Sequence, residues 1–168
     1  MALRTSDPQQ AILFWALCCV HSTTRAREFP TGAEGLLRAE AEGAHALMDL
    51  RNLLRAAEWG IERLPLQHPA LDHLEEFTRR FDGVDNAWVA LEHFGEYESR
   101  RGRRYAEEPG PRLEFFVTHE PPERVVAHLG PHMFDLAELT DACFQVAARM
   151  TAAVDKASVT TSRQVRAH

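Results

Sequence analysis

Apolar residues recur at steps of three and four along most of this chain and switch to strict alternation in one short stretch, which predicts helices with a single patch of strand. A first helix is expected from Pro8 to about Arg25, because Asp7 is a ready N-cap and Pro8 fills the first helical position, where a missing N–H costs nothing. Phe29-Pro30 ends the segment that follows. From Ile12 to Val20 this helix is apolar nearly all round, so it belongs either in the centre of the core or between subunits. Thr31-Gly-Ala-Glu34 matches a capping box and announces a second helix reaching about Leu64. Its expected buried stripe is Leu37, Ala41, Ala44, Met48, Leu54 and Ile61, and Pro65 terminates it.

His68-Pro69 opens a third helix with Leu71, Leu74, Phe77 and Phe81 on one face, and Asp82-Gly83 reads as its C-terminal cap. A fourth helix follows at once, with Val84, Ala87, Trp88, Leu91 and Phe94 inward, unless Gly83 is a kink within one longer helix. Residues 102–111 read as loop. Leu113, Phe115 and Val117 then alternate with Glu114, Phe116 and Thr118, and the Glu120-Pro-Pro-Glu123 turn leads to Val125, Ala127 and Leu129. This is a short β-hairpin, and its outer face, with Phe116, Val126 and His128, needs a cover from helices or a partner. Asp135-Leu-Ala-Glu138 starts a last helix to about Lys156, with Leu136, Leu139, Cys143, Val146, Ala147 and Met150 inward. The pattern as a whole predicts a mainly α fold: an antiparallel bundle of about five helices with one short hairpin before the last. One domain over residues 1–156 and an unstructured tail over 157–168 complete it.

Composition narrows the function. Apolar residues make up 45% and charged residues 26%, ordinary usage for a chain with a packed core. A net charge of −6 argues against a general nucleic-acid binder, whose affinity comes from cations neutralising phosphates, although a local basic patch remains compatible with it. Cys18, Cys19 and Cys143 form neither a disulfide framework nor a zinc spacing, and read as small apolar core residues in a reducing cytoplasm. The apolar run Ala11 to Val20 is half the length a membrane span needs, and no cleavage site of small residues follows it closely.

The common catalytic motifs are missing. No serine sits in a Gly-x-Ser-x-Gly elbow, and there is no phosphate loop and no Gly-x-Gly-x-x-Gly. Glu42-x-x-His45 has the spacing of half a di-iron centre, but the chain has no second Glu-x-x-His. His119, His128 and His132 lie at the hairpin ends, where zinc accepts three ligands, yet no carboxylate or cysteine spacing supports a site. No metal or cofactor is therefore expected.

The chemistry concentrates between Asp85 and Arg104. There Glu92 and Glu96 flank His93 one turn apart on the fourth helix, and Trp88 and Tyr97 are helical neighbours of that histidine. A carboxylate beside an imidazole orients it and strengthens it as a base, which makes His93, Glu92 and Glu96 the candidate catalytic group. Arg100, Arg101, Arg103 and Arg104 follow and, with Trp88 and Tyr97, form the candidate binding surface; their alternative role is to complement the helix dipole and pair with nearby glutamates.

The sequence LEHFGEY on a late helix, followed by an arginine- and glycine-containing loop, a hairpin and a final helix, resembles the HEPN-type bundles. Active members of that family are implied to carry an arginine, four to six variable residues and a histidine, forming a metal-independent ribonuclease site completed across a dimer. Carried onto this chain, the histidine is His93 and the arginine belongs at positions 86–88, which hold Asn86, Ala87 and Trp88. Two other matches to the bare spacing, Arg63 with His68 and Arg112 with His119, are interrupted by Pro65 or lie in a strand. The resemblance thus implies a catalytically degenerate interaction or dimerisation module, expected in the cytoplasm as a homodimer or docked on a protein partner. The alternatives are an RNA-cleaving or RNA-binding protein using His93 and the arginines, or a bundle that binds a small molecule beneath Trp88 and Trp59.

Overall fold

The computed structural model describes residues 7–29, 32–64, 68–81, 83–84, 115–120, 124–130 and 132–165, with side chains as far as 156 in the last helix. Among the described residues there are four helices: α1 (Pro8–Glu28), α2 (Ala33–Ile61), α3 (Pro69–Arg80) and α4 (Leu136–Val165). Three strands, β1 (Phe115–Glu120), β2 (Arg124–Leu129) and β3 (His132–Asp135), form an antiparallel sheet in sequence order immediately before α4. The fold is mainly helical, as expected. The expected fourth helix falls outside the described residues except for its first position, Val84, which is buried.

Helix starts follow local chemistry. The Asp7 carboxylate accepts from the Gln9 amide at 3.0 Å, and the His68 Nδ1 accepts from the Ala70 amide at 3.1 Å; a proline follows each cap. Asp135 does the same for α4, its Oδ1 accepting from Ala137 at 2.9 Å and Glu138 at 3.1 Å. Glu138 does not close the box by reaching back; it pairs with Arg80 of α3 instead. The expected capping box of α2 is corrected: its N-cap is Gly32, which supplies no side-chain bond, and Glu34 pairs with Arg38. Helix α1 runs past Arg25 to Glu28, and α4 runs past Lys156 to Val165.

The buried face of α2 is a second correction. Leu37 and Met48 are 67% and 41% exposed, Ala41 is exposed, and Ala44 and Ile61 are only partly covered; Leu54 alone of the expected stripe is buried. The face that goes inward carries Gly35, Ala39, Gly43, Ala46, Leu47, Leu50, Leu53, Ala57 and Gly60. Small residues win here because they let neighbouring backbones approach. A Cβ added at Gly43 would lie 3.0 Å from Val117 of β1, and one at Gly60 would lie 3.3 Å from both Ile12 of α1 and Val154 of α4. Helix α2 is thus touched by the sheet at Gly43 and by α1 and α4 at Gly60.

Helix α1 buries Ala11, Ile12, Ala16, Cys19 and Ala26 against α2 and α4, while the inward set expected for α4 is buried in full. In α3, Leu74 and Phe77 are buried, Phe81 closes the helix, and Leu71 is half-buried. Gly83 then takes φ +93°, a conformation that favours glycine, and the His132 imidazole occupies the space a Cβ would need. The cap of α3 is Phe81 rather than the expected Asp82-Gly83, and Gly83 makes the turn that follows it.

The expected hairpin is present, and its register sets Val117 opposite Ala127 and His119 opposite Val125. It is extended by β3, which pairs Leu129 with His132 and Ala127 with Phe134 across the turn at Gly130, φ +55°. Val117, Val125, Ala127, Leu129 and Phe134 face the helices and are buried. On the other face Val126 is fully buried, whereas Phe116 and Met133 are 39% and 58% exposed, and His128 stacks on Phe116 at 4.5 Å.

Two outcomes test this packing. Leu50→Ala should cost about 2–5 kcal/mol in urea denaturation, because it empties a fully buried site, while Leu37→Ala on the exposed face should stay within about 0.5 kcal/mol; equal costs would reject the assigned face of α2. The second concerns the α4 cap. Burial works against charge on Asp135, but the Arg124 hydrogen bond at 2.6 Å and the amides of Glu138 and Ala137 outweigh it and hold its pKa below the ordinary value. A depressed folded pKa contributes stability above the unfolded value of about 3.9, and that contribution disappears as pH falls through the folded one. Asp135→Asn should therefore flatten the acid limb of the stability–pH curve below about pH 4, and a limb parallel to that of the native chain would contradict it.

Candidate functional site

Trp88, Glu92, His93, Glu96, Tyr97, Arg100, Arg101, Arg103 and Arg104 all lie outside the described residues. What the structure assigns is the role of the other candidate groups. Glu42 and His45 approach each other at 3.8 Å on the surface of α2, but Glu42 also binds Arg25 of α1 at 3.0 Å, so the pair belongs to an interhelical bridge. Arg63 lies over the Trp59 ring at 5.5 Å while His68 caps α3, which separates the two members of that spacing. His128 bonds Thr118 at 2.8 Å across the strands, and His132 covers Gly83. Among the described residues no three of His, Cys, Asp and Glu are grouped to hold a metal ion.

A cleft forms where the C-terminal end of α1 meets the start of the β1–β2 pair. It measures about 420 Å³ and is lined by Thr24, Arg27 and Glu28 from α1 and by His119, Glu120, Arg124 and Val125 from the strands. Alternation along β1 turns His119 to the same side as buried Val117, and its Nε2 is buried without a hydrogen-bond partner. Arg124 is held by Asp135 at 2.6 Å and Glu120 at 3.2 Å, whereas Arg27 makes no ion pair among the described residues. Two guanidinium groups face two carboxylates, and the carbonyl end of α1 adds partial negative charge. The cleft is therefore polar and close to electrically balanced, with no paired nucleophile and base. Sequence reading missed it because its two halves are distant in sequence and neither carries a motif.

A smaller groove of about 140 Å³ separates α3 from α4, with Phe77, Ala142 and Val146 among its lining residues and His73, Glu76 and Arg149 at its polar rim. The Arg149 guanidinium donates to the His73 Nδ1 at 2.9 Å across the rim of this groove. The α1–α2 seam, largely apolar where it is buried, holds a polar contact involving a titratable group. Ser22 donates to Asp49 at 3.1 Å, but burial dominates and raises the Asp49 pKa above its usual range. Cys18 is raised too, chiefly by burial and then by the nearby Asp49 charge.

The three cysteines are free. Cys19 and Cys143, however, meet: the Cys143 thiol donates to the Cys19 sulfur at 3.3 Å, and the Cys19 Sγ lies 3.4 Å from the Ala46 carbonyl oxygen. Both side chains are fully buried. These two fill core positions as expected, whereas Cys18, expected there too, is only partly buried; the Cys19–Cys143 contact is a property of the α1–α4 packing that spacing alone does not disclose.

No protein-family model, no characterised relative and no solved structure matches this chain. No helix among the described residues is long and apolar enough to cross a membrane.

The orphaned imidazole nitrogen gives a test. His119→Leu removes a buried, unpaired polar atom, which costs a fold about 1–3 kcal/mol, so the urea midpoint should rise with an unchanged slope. A lower midpoint would show that Nε2 has a partner worth keeping.

Proposed function

We propose that this protein is an interaction module that pairs with a second copy of itself through the outer face of α1. The observation that carries the reading is the exposure of Leu13, Phe14 and Leu17, at 47%, 38% and 61%, on a helix whose opposite face is packed into the core. Scattered apolar residues on a surface need no explanation, but three large ones within a stretch from Ile12 to Val20 that contains no charged residue form a coherent face. Phe144, 51% exposed, extends it, because the Cys19–Cys143 and Thr23–Thr140 contacts set α4 alongside α1. An uncharged face suits symmetric association, since a two-fold axis brings each residue near its own copy and a charged patch would repel itself.

Antiparallel crossing about this face also opposes the two α1 dipoles and brings the C-terminal Arg25 and Arg27 of one copy toward the Asp7 end of the other. This agrees with the degenerate, dimerising form of a HEPN-like bundle, and the missing arginine at 86–88 favours it over RNA cleavage. Light scattering at tens of micromolar should give twice the chain mass, and Leu17→Glu should give a monomer with an unchanged helical circular dichroism spectrum. A native chain that is monomeric at that concentration, ordinary for weak interfaces, would reject the reading.

A further inference from the structure

We infer that Cys19 and Cys143 form a redox-controlled staple: two thiols poised in the core to join α1 to α4 as a disulfide when the protein meets a two-electron oxidant. The inference is independent of the pairing proposed above.

The geometry is specific. Thiols 3.3 Å apart need to close to a bond length of about 2.05 Å, a movement of the size that χ1 adjustments supply. Neighbouring contacts hold the two helices in register on both sides of the pair: Thr23 and Thr140 share a hydrogen bond of 2.7 Å, and the Gln9 side-chain amide donates to the Thr151 carbonyl at 3.0 Å. The pair spans 124 positions of sequence, so the bond would enclose most of the chain and remove much of the freedom of its unfolded state. Cys18 lies beside them on α1 but is separate: it is partly exposed and paired with neither.

The same surroundings set the rate. The hydrogen bond shared with Cys143 and then burial raise the Cys19 pKa well above its ordinary value, so Cys19 is held as the thiol. Reaction therefore follows transient opening of the α1–α4 seam. With a peroxide, one thiolate attacks the O–O bond, leaving a sulfenic acid and releasing hydroxide that takes up a proton to become water. The second thiol then attacks that sulfur, the S–S bond forms, and the sulfenic oxygen departs as a second water. With an azo oxidant such as diamide, one thiolate adds to the N=N bond and the second displaces it, and the two electrons and two protons leave as the hydrazine. Once formed, the bond is shielded from reductant by the packing that slowed its formation.

The test uses the full chain carrying Cys18→Ser, so that only the pair remains. Incubated natively with diamide, it should lose the mass of two hydrogens and yield a linked peptide containing Cys19 and Cys143. Its thermal midpoint should rise by roughly 10 °C, and dithiothreitol should reverse both changes when mild denaturant is added. Cys18→Ser with Cys143→Ala should show neither change while keeping its helical spectrum. If the native pair stays fully reduced and cross-links only after global unfolding, or if the linked form melts lower than the reduced one, the staple is rejected.

Discussion

The close approach of backbones at α2 is the constraint on which the rest of this structure depends. Leu47, Leu50 and Leu53 supply the apolar bulk, but Gly43 and Gly60 set the distances, because at each of them an added Cβ would press on a side chain of another element and force it to shift. Gly43 admits Val117 and so seats the sheet. Gly60 admits Ile12 and Val154 together, and so fixes where α1 and α4 both pass α2. Dispersion between close-packed atoms falls quickly with separation, and a helix that offers glycine and alanine gains contacts from its neighbours' side chains in exchange for its own. The helical cost of an interior glycine, about 1 kcal/mol against alanine, is offset by that approach.

Legibility in the sequence followed from how local each signal was. Asp7-Pro8, His68-Pro69 and Asp135 announce helix starts through chemistry confined to a few neighbouring residues, and each works as a cap in the structure. The inward face of α4 was legible because Leu136, Leu139, Val146 and Met150 are large and regularly spaced. Helix α2 misled for the converse reason: Leu37 and Met48 weigh more on any hydropathy scale than Gly43 or Ala46, yet the surfaces that seek close approach are the small ones. Strand β3 was hidden by its length, four residues between Gly130 and the Asp135 cap, too few for alternation to register. The candidate catalytic group around His93 lies outside the described residues. The cleft at the end of α1 had no sequence signal, because Arg27 and His119 meet only through the packing of the sheet on the helices.

Polar residues in this fold mostly tie elements together. Arg80 with Glu138 joins α3 to α4, Arg25 with Glu42 joins α1 to α2, and Arg124 with Asp135 joins β2 to the start of α4. In the first two the guanidinium is about half exposed to water, and such surface pairs contribute little each, commonly under about 1 kcal/mol. The third differs, because Asp135 also receives two backbone amides, so a single carboxylate both starts the last helix and anchors the neighbouring strand. His119 stands outside this pattern as a partly buried imidazole whose enclosed Nε2 is left unpaired, at a place where the surrounding charges are balanced.

Helix α1 has two faces with opposed requirements, and this bears on how the molecule works. Its inner face is committed: Ile12, Ala16 and Cys19 are buried against α2 and α4, and Thr23 is fastened to Thr140. Its outer face exposes Leu13, Phe14 and Leu17, whose cover would add apolar burial at about 25 cal/mol per Å². A helix held on one side by small-residue packing and left apolar on the other is a suitable place for association, because the inner contacts keep it from rearranging when a partner arrives and so reduce the ordering cost of binding. The Cys19–Cys143 contact lies on the inner face, within the seam whose outer rim carries Phe144. A covalent link there would stiffen the platform without changing the chemistry of the surface it presents, so oxidation and association would act on the same helix through opposite faces.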